Sequence, residues 1–288
     1  MNPFIKKWAE QAINNQIPQY SVNKKRTPPA KPEINENAEY DLVYILKPSE
    51  KNIDLRYSLR SVERFCNYRQ IWFVGYKPTW STNVRYIPTL QNQDKWKNSI
   101  VNYRAACNCP QVSDNFILMN DDFFAISEIK DWKDDLNVCL GTLQDTIKKY
   151  AEKEKRSRWQ EAFTYAEELL KELNCNNMYD YETHLPIIIN KKNFLKMLRM
   201  PELIEFQRTD KILHKRSIYK NLYPDENMPE PRIIEDVKIT LKHDLSSKWF
   251  KQNWISVFDN VTGNNKDFPK FNSFLTKLFP NKSKYEIR

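Results

Sequence analysis

Between residues 40 and 119 short apolar runs alternate with longer stretches of helical spacing, and that rhythm leaves the chain few architectures. Tyr40 to Leu46 has the β-branched and aromatic content of a buried strand, ended by Pro48. From Asp54 the apolar residues Leu55, Leu59, Val62 and Phe65 recur on one helical face, while Arg56, Arg60, Glu63 and Arg64 turn away from it. Gln70 to Val74 and Val84 to Ile87 return to strand character on either side of the turn Lys77 to Trp80. Trp96, Ile100, Tyr103 and Ala106 mark a helix within Asp94 to Cys107, and Pro110 breaks the chain before another apolar run at Asn115. This succession predicts an α/β fold, a mostly parallel sheet with helices on both faces.

The flanking regions differ in character. Residues 1–20 carry Phe4, Trp8, Ala12 and Ile13 near helical spacing, which predicts a short amphipathic helix that docks on the protein or touches a membrane surface. Residues 21–38 hold Lys24, Lys25, Arg26, Pro28, Pro29 and Pro32 and read as an extended linker, so the main domain is expected over 39–288. From about 131 to 174 the chain is densely charged and free of proline, with Trp159, Phe163, Ala166 and Leu170 in a stripe, which predicts a helical insertion of one or two long helices. Tyr179 to Asn190 reads as a strand, Phe194 to Leu222 as helical and basic, Val237 to Leu241 and Trp254 to Phe258 as strands, and Phe271 to Phe279 as a last helix.

The apolar run Phe116 to Met119 stops abruptly at Asn120, Asp121 and Asp122. Ligands of open α/β sheets bind outside the carboxyl ends of the strands, so paired carboxylates there are placed to hold a hard cation and, through it, phosphate. The same residues also suit a solvated turn. Only three glycines occur in 288 residues, which excludes glycine-rich phosphate loops, so phosphate must be held otherwise. Arg56 and Arg60, four apart on one helix face, are candidates for forking onto its oxygens. Asp259 and Asn260 form a second polar pair after an apolar run, and His184, one of three histidines, precedes another and is the candidate acid or base. The formal charge of +9 favours an anionic partner without choosing among nucleic acid, polyanionic glycan and membrane surface. Five scattered cysteines lack both metal-site and disulfide spacing, which fits a reducing, cytoplasmic setting, and no apolar run reaches the length of a membrane span.

Four stretches together resemble the Stealth family of capsular-polysaccharide sugar-phosphate transferases. Asp41 to Tyr44 resembles the start of its first conserved region; Leu55 to Phe65, Gln70 to Val74 and Phe116 to Phe124 resemble its second. Thr183 to Pro186, with Phe206, Thr209 and Arg216, resembles the third, and Trp254 to Asn260 with Leu278 to Glu286 the fourth. The resemblance implies a Rossmann-like domain that moves a sugar 1-phosphate from a nucleotide sugar to a glycan hydroxyl with a divalent cation. It further implies Asp121 and Asp122 as metal ligands, His184 and Arg216 at the catalytic centre, and donor contacts from Asp41 and from Asn98 and Ser99, which fall where the family carries an Asn-Ser pair. Ile45 to Pro48 departs from the polar continuation usual in the first region. The chain is more loosely similar to GT-A glycosyltransferases, in which an acidic motif at a strand end holds manganese on a diphosphate.

Three functions follow as expectations: sugar-phosphate transfer to a glycan or polyanionic acceptor, transfer of the sugar itself to a glycan or modified nucleic acid, and non-catalytic binding of nucleic acid. Asp121 and Asp122 separate the last from the others, because a groove built for nucleic acid gains nothing from two carboxylates.

Overall fold

The computed structural model describes residues 32–152, 154–239, 253–257 and 268–287. The chain divides into Met1–Ala30 and Lys31–Arg288, and all described residues belong to the second unit. The expected N-terminal helix and most of the linker lie outside the described residues, as do Asp259 and Asn260.

The fold is mixed α/β around a mostly parallel sheet. β1 (Asp41–Ile45), β2 (Ile71–Gly75), β3 (Arg85–Pro88) and β4 (Asn115–Met119) run parallel, and β7 (Ile187–Asn190) adds antiparallel to β4, in the order β3-β2-β1-β4-β7. Successive side chains of a strand point to opposite faces. Leu42, Tyr44, Ile117 and Met119 therefore pack on Leu55, Leu59 and Val62 of helix α1 (Ile53–Phe65). Val43, Phe116 and Leu118 face the other way, onto Ile100 and Ala106 of α2 (Lys95–Asn108). Leu42, Leu55 and Leu59 are fully buried, each contributing about 2 kcal/mol. At the end of β2 Gly75 has φ +102°, and a Cβ there would collide with the carbonyl oxygen of Leu46, on the way from β1 to α1.

The region expected to hold one or two long helices begins with a short one, α3 (Trp132–Leu136), and a two-residue strand, β6 (Val138–Cys139). α4 (Leu143–Ala151) and α5 (Arg158–Glu172) follow, the latter started by a Ser157–Gln160 capping box. α5 buries Phe163, Ala166 and Leu170 in the core beneath the sheet, so it is a wall of the domain rather than a solvated excursion.

The strand expected over Tyr179 to Asn190 shortens to β7. The backbone N–H of Glu182 turns onto the Asp180 carboxylate at 2.9 Å, His184 has φ +52°, and only after Pro186 does the chain extend. The basic helical stretch divides into α6 (Lys191–Leu198), α7 (Pro201–Arg208) and α8 (Lys215–Leu222). Pro201 starts α7, where its missing N–H is no loss, and Thr209 leaves the helix in extended conformation. A small second sheet forms from β5 (Phe123–Ala125), β10 (Trp254–Val257) and β9 (Lys238–Ile239), with β10 antiparallel to β5 and parallel to β9. β8 (Arg232–Ile233) pairs with β6, and α9 (Phe268–Leu278) closes the chain near its expected place. Among the described residues no helix is long and apolar enough to cross a membrane.

Candidate active site

From β1 the chain builds outward through β2 and β3 on one side, while β4 joins β1 on the other. The carboxyl ends of β1 and β4 thus flank the switch point of the sheet, where open α/β proteins bind ligands. Asn120, Asp121 and Asp122 emerge there, all half-buried. Asp121 Oδ2 accepts from Asn52 Nδ2 at 2.9 Å, and Asn52 is also the N-cap of α1, accepting from the Leu55 N–H at 3.1 Å. One asparagine thereby ties the exit of β1, the start of α1 and the acidic pair together.

Asp122 Oδ2 accepts from Ser256 Oγ at 3.2 Å, and Ser256 stands opposite Lys238 in the β9–β10 ladder. Lys238 Nζ lies 3.1 Å from His184 Nε2, and His184 Nδ1 lies 3.0 and 2.9 Å from the two carboxylate oxygens of Asp236. An ammonium group only donates, so Nε2 accepts from Lys238 and the ring proton sits on Nδ1, donated to Asp236. The left-handed backbone of His184 is uncommon outside glycine and marks a residue held by its surroundings.

Arg216, in the first turn of α8, joins the two halves. Its Nη1 donates to the Leu185 carbonyl beside His184, and its Cζ lies 5.1 Å from the centre of the Phe123 ring, next to Asp122. Its Nη2 is buried without a hydrogen-bond partner. The neighbouring Lys215 is buried, with one long hydrogen bond of 3.5 Å to the Leu213 carbonyl and the rings of Trp96 and Tyr103 at 5.7 and 5.8 Å. Burial pushes its amine down to about 8 against the pull of Glu182. Glu182 also receives the backbone N–H and hydroxyl of Ser217 at 3.3 and 3.4 Å, steadying the start of α8. Behind it, burial raises the Asp180 carboxyl to about 6.

Several residues chosen from the sequence have other duties. Asp41 begins β1, about 13 Å of strand from the carboxyl edge. It is fully buried and accepts from Arg69 Nε and Nη2 at 2.9 and 3.0 Å, Trp72 Nε1 at 3.0 Å and Ser113 N at 2.8 Å, a structural anchor rather than a donor contact. Arg56 and Arg60 are engaged by a protein carboxylate in place of phosphate. Arg60 Nε and Nη2 donate to Glu286 at 2.7 and 2.8 Å, Arg56 Nη1 donates to the same group at 3.2 Å, and the Arg56 guanidinium stacks 3.9 Å from the Trp80 ring. Asn98 and Ser99 stand on the expected edge, at the start of α2, but bond locally: Asn98 Nδ2 donates to the Gln93 carbonyl and Ser99 Oγ to that of Trp96, each at 2.6 Å. Asp236 and Lys238 were missed, since nothing near them in the sequence points to a histidine 52 and 54 positions away.

Among the described residues no three His, Cys, Asp or Glu side chains converge as a metal cage. Two adjacent carboxylates nevertheless fit a magnesium-type ion, which keeps several waters and is held by one or two carboxylates together with substrate phosphates.

No family model matches the chain and no curated protein does, so the Stealth resemblance rests on the motifs alone. Among solved structures the chain is similar to the glycosyltransferase GlyE of Streptococcus pneumoniae TIGR4, at 8% identity and a TM-score of 0.36, over 84% of this chain and 50% of that one. The apo form of GlyE gives 10% identity and a TM-score of 0.34, over 69% of this chain and 46% of that one. The chain therefore spans about half the length of the structures it matches.

Proposed function

We propose that the chain is a nucleotide-sugar-dependent transferase that moves a sugar 1-phosphate onto a hydroxyl of a glycan or polyanionic acceptor. The observation that carries this is Arg216, whose Nη2 is buried without a partner while its guanidinium binds the carbonyl after His184 and stands over the ring of Phe123, the residue that follows Asp122. A buried donor without an acceptor is costly, and a phosphate oxygen relieves it.

Asp121 and Asp122 are the residues that would hold a divalent cation, Mg2+ or Mn2+, whose charge would offset that of the leaving nucleotide. The chain's own groups supply the rest. His184 Nε2 takes the proton of the acceptor hydroxyl, and Asp236 holds the Nδ1–H and balances the imidazolium that results. The acceptor oxygen bonds to the β-phosphorus, the bridge from that phosphorus to the α-phosphate breaks, and nucleoside monophosphate leaves with the electron pair. Arg216 steadies the oxygens in flight. The same residues serve attack at the sugar carbon, from which nucleoside diphosphate leaves.

Incubation with UDP-, GDP- and CMP-sugars and magnesium or manganese, with identification of the released nucleotide, decides between them. Monophosphate from UDP- or GDP-sugars supports sugar-phosphate transfer and diphosphate supports glycosyl transfer. Asp122→Asn should abolish turnover while the fold persists. Absence of any donor binding with metal present would falsify the proposal.

A further inference from the structure

His184 is capped on both ring nitrogens. Nδ1 faces the Asp236 carboxylate at 2.9 Å and Nε2 faces the Lys238 ammonium at 3.1 Å. Asp236 and Lys238 are themselves joined, the Lys238 backbone N–H donating to Asp236 Oδ1 at 3.2 Å, so one short segment entering β9 grips the imidazole from both sides. The Nδ1 contact suits a base, because it fixes the tautomer and balances the charge formed on proton uptake. The Nε2 contact opposes one, because the lone pair that must take a proton is already occupied by a donor. Something has to remove Lys238 before His184 can act.

The surroundings identify what that is. Lys238 stands opposite Ser256, which holds Asp122, and Arg216 reaches the Leu185 carbonyl next to His184. Phe123, under the Arg216 guanidinium, and Lys238 are both register partners of Ser256, which puts them on one face of the small sheet, the face on which a phosphate held by Asp122 and Arg216 would present its oxygens to Lys238. An ammonium group binds a phosphate oxygen more strongly than a neutral imidazole nitrogen, since the first contact joins two charges.

We propose that Lys238 is a substrate-displaced cap on the base: it occupies His184 Nε2 in the resting protein, and a diphosphate ligand draws it onto its own oxygens. Nε2 then opens to the acceptor hydroxyl only when a donor is present. The proposal rests on the reading of His184 as base, and it assigns Lys238 two successive partners. It also gives the protein a means of withholding the base from water while the donor site is empty.

The test uses the full chain and reads the imidazole directly. Nitrogen NMR of the histidines, with the His184 signals assigned by loss in His184→Gln, should show Nδ1 protonated and Nε2 hydrogen-bonded. Saturating inorganic pyrophosphate with magnesium should shift the Nε2 signal towards that of an uncapped acceptor, whereas magnesium alone should not. In Lys238→Met the signal should start at the uncapped position and stay there. Carbethoxylation of His184 by diethyl pyrocarbonate, followed by mass spectrometry, should be about tenfold faster in Lys238→Met than in the parent, the effect of losing one charge-assisted hydrogen bond. Lys238→Arg, which keeps a cation, should retain the slow rate. Equal rates in parent and Lys238→Met, or an Nε2 signal indifferent to pyrophosphate, overturn the proposal. Failure of the base itself reads differently: His184→Ala would turn over normally while the carbethoxylation difference persisted.

Discussion

Replacing Lys215 by methionine should stabilise the protein at neutral pH, although it removes a charge from a basic helix. Lys215 as a whole is 7% exposed, and its amine has one hydrogen bond of 3.5 Å and is pushed by burial from 10.5 to about 8. Between those two values the folded state binds fewer protons than the unfolded state, so parent stability rises with pH across that window, and the penalty is fully present below it. A shift of that size corresponds to about 3 kcal/mol at pH 7 and roughly half of it at pH 9.5. Methionine fills a similar volume with no charge to desolvate, but it gives up attraction to the rings of Trp96 and Tyr103, worth about 1 kcal/mol. The net expectation is a gain of about 2 kcal/mol at pH 7, or roughly 4 to 8 °C in melting temperature for a domain of this size. Urea denaturation of parent and variant at pH 7 and 9.5 measures both the gain and its narrowing. A Lys215→Met protein less stable than the parent at pH 7 would refute the reasoning, because the ammonium would then be satisfied by Glu182 rather than strained by burial. Nucleotide-sugar binding to the variant should weaken together with the gain in stability, the signature of a charge kept for a ligand.

Glu286→Ala should destabilise by about 3 kcal/mol, since it strips the fully buried partner from Arg60 and Arg56, which retain some contact with water; a loss under about 1 kcal/mol in urea denaturation would return those arginines to the list of phosphate ligands. Asp180, raised from 3.8 to about 6 by burial, is favoured in its protonated form by the folded state, so stability should fall as pH rises from about 4 to 6. Asp180→Asn should flatten that slope and exceed the parent at pH 7 by about 2 kcal/mol, and an unchanged slope assigns the pH dependence elsewhere. His184→Ala should lower the transfer rate by roughly two to four orders of magnitude with donor affinity nearly intact, and a parental rate removes it from the mechanism. Asp236→Asn should lower turnover with unchanged donor KM and alter its pH profile; a change confined to melting temperature would make Asp236 merely structural.

Sequence alone determined the alternating elements from β1 to β4. Burial on both faces imposes its pattern locally, through β-branched runs that fit strands and stripes that fit helices, and each is complete within a short window. The position of Asn120 to Asp122 was legible for the same reason: a polar stop after a buried parallel strand falls at the carboxyl edge wherever that strand lies in the sheet. Charge was not legible in this way. Asp41, Arg56 and Arg60 have the residue types of a nucleotide-sugar site, yet their partners lie 28, 230 and 226 positions along the chain, and only folding shows that an opposite charge of the protein already satisfies them. Conversely, His184 takes its orientation from Asp236, 52 positions away, through a backbone bend that shortened the expected strand around it. Periodicity records which face of an element avoids water, a property of neighbours in sequence. Whether a charge is spent on the fold or left for a ligand depends on which opposite charge arrives within hydrogen-bonding distance, and that is decided by tertiary structure.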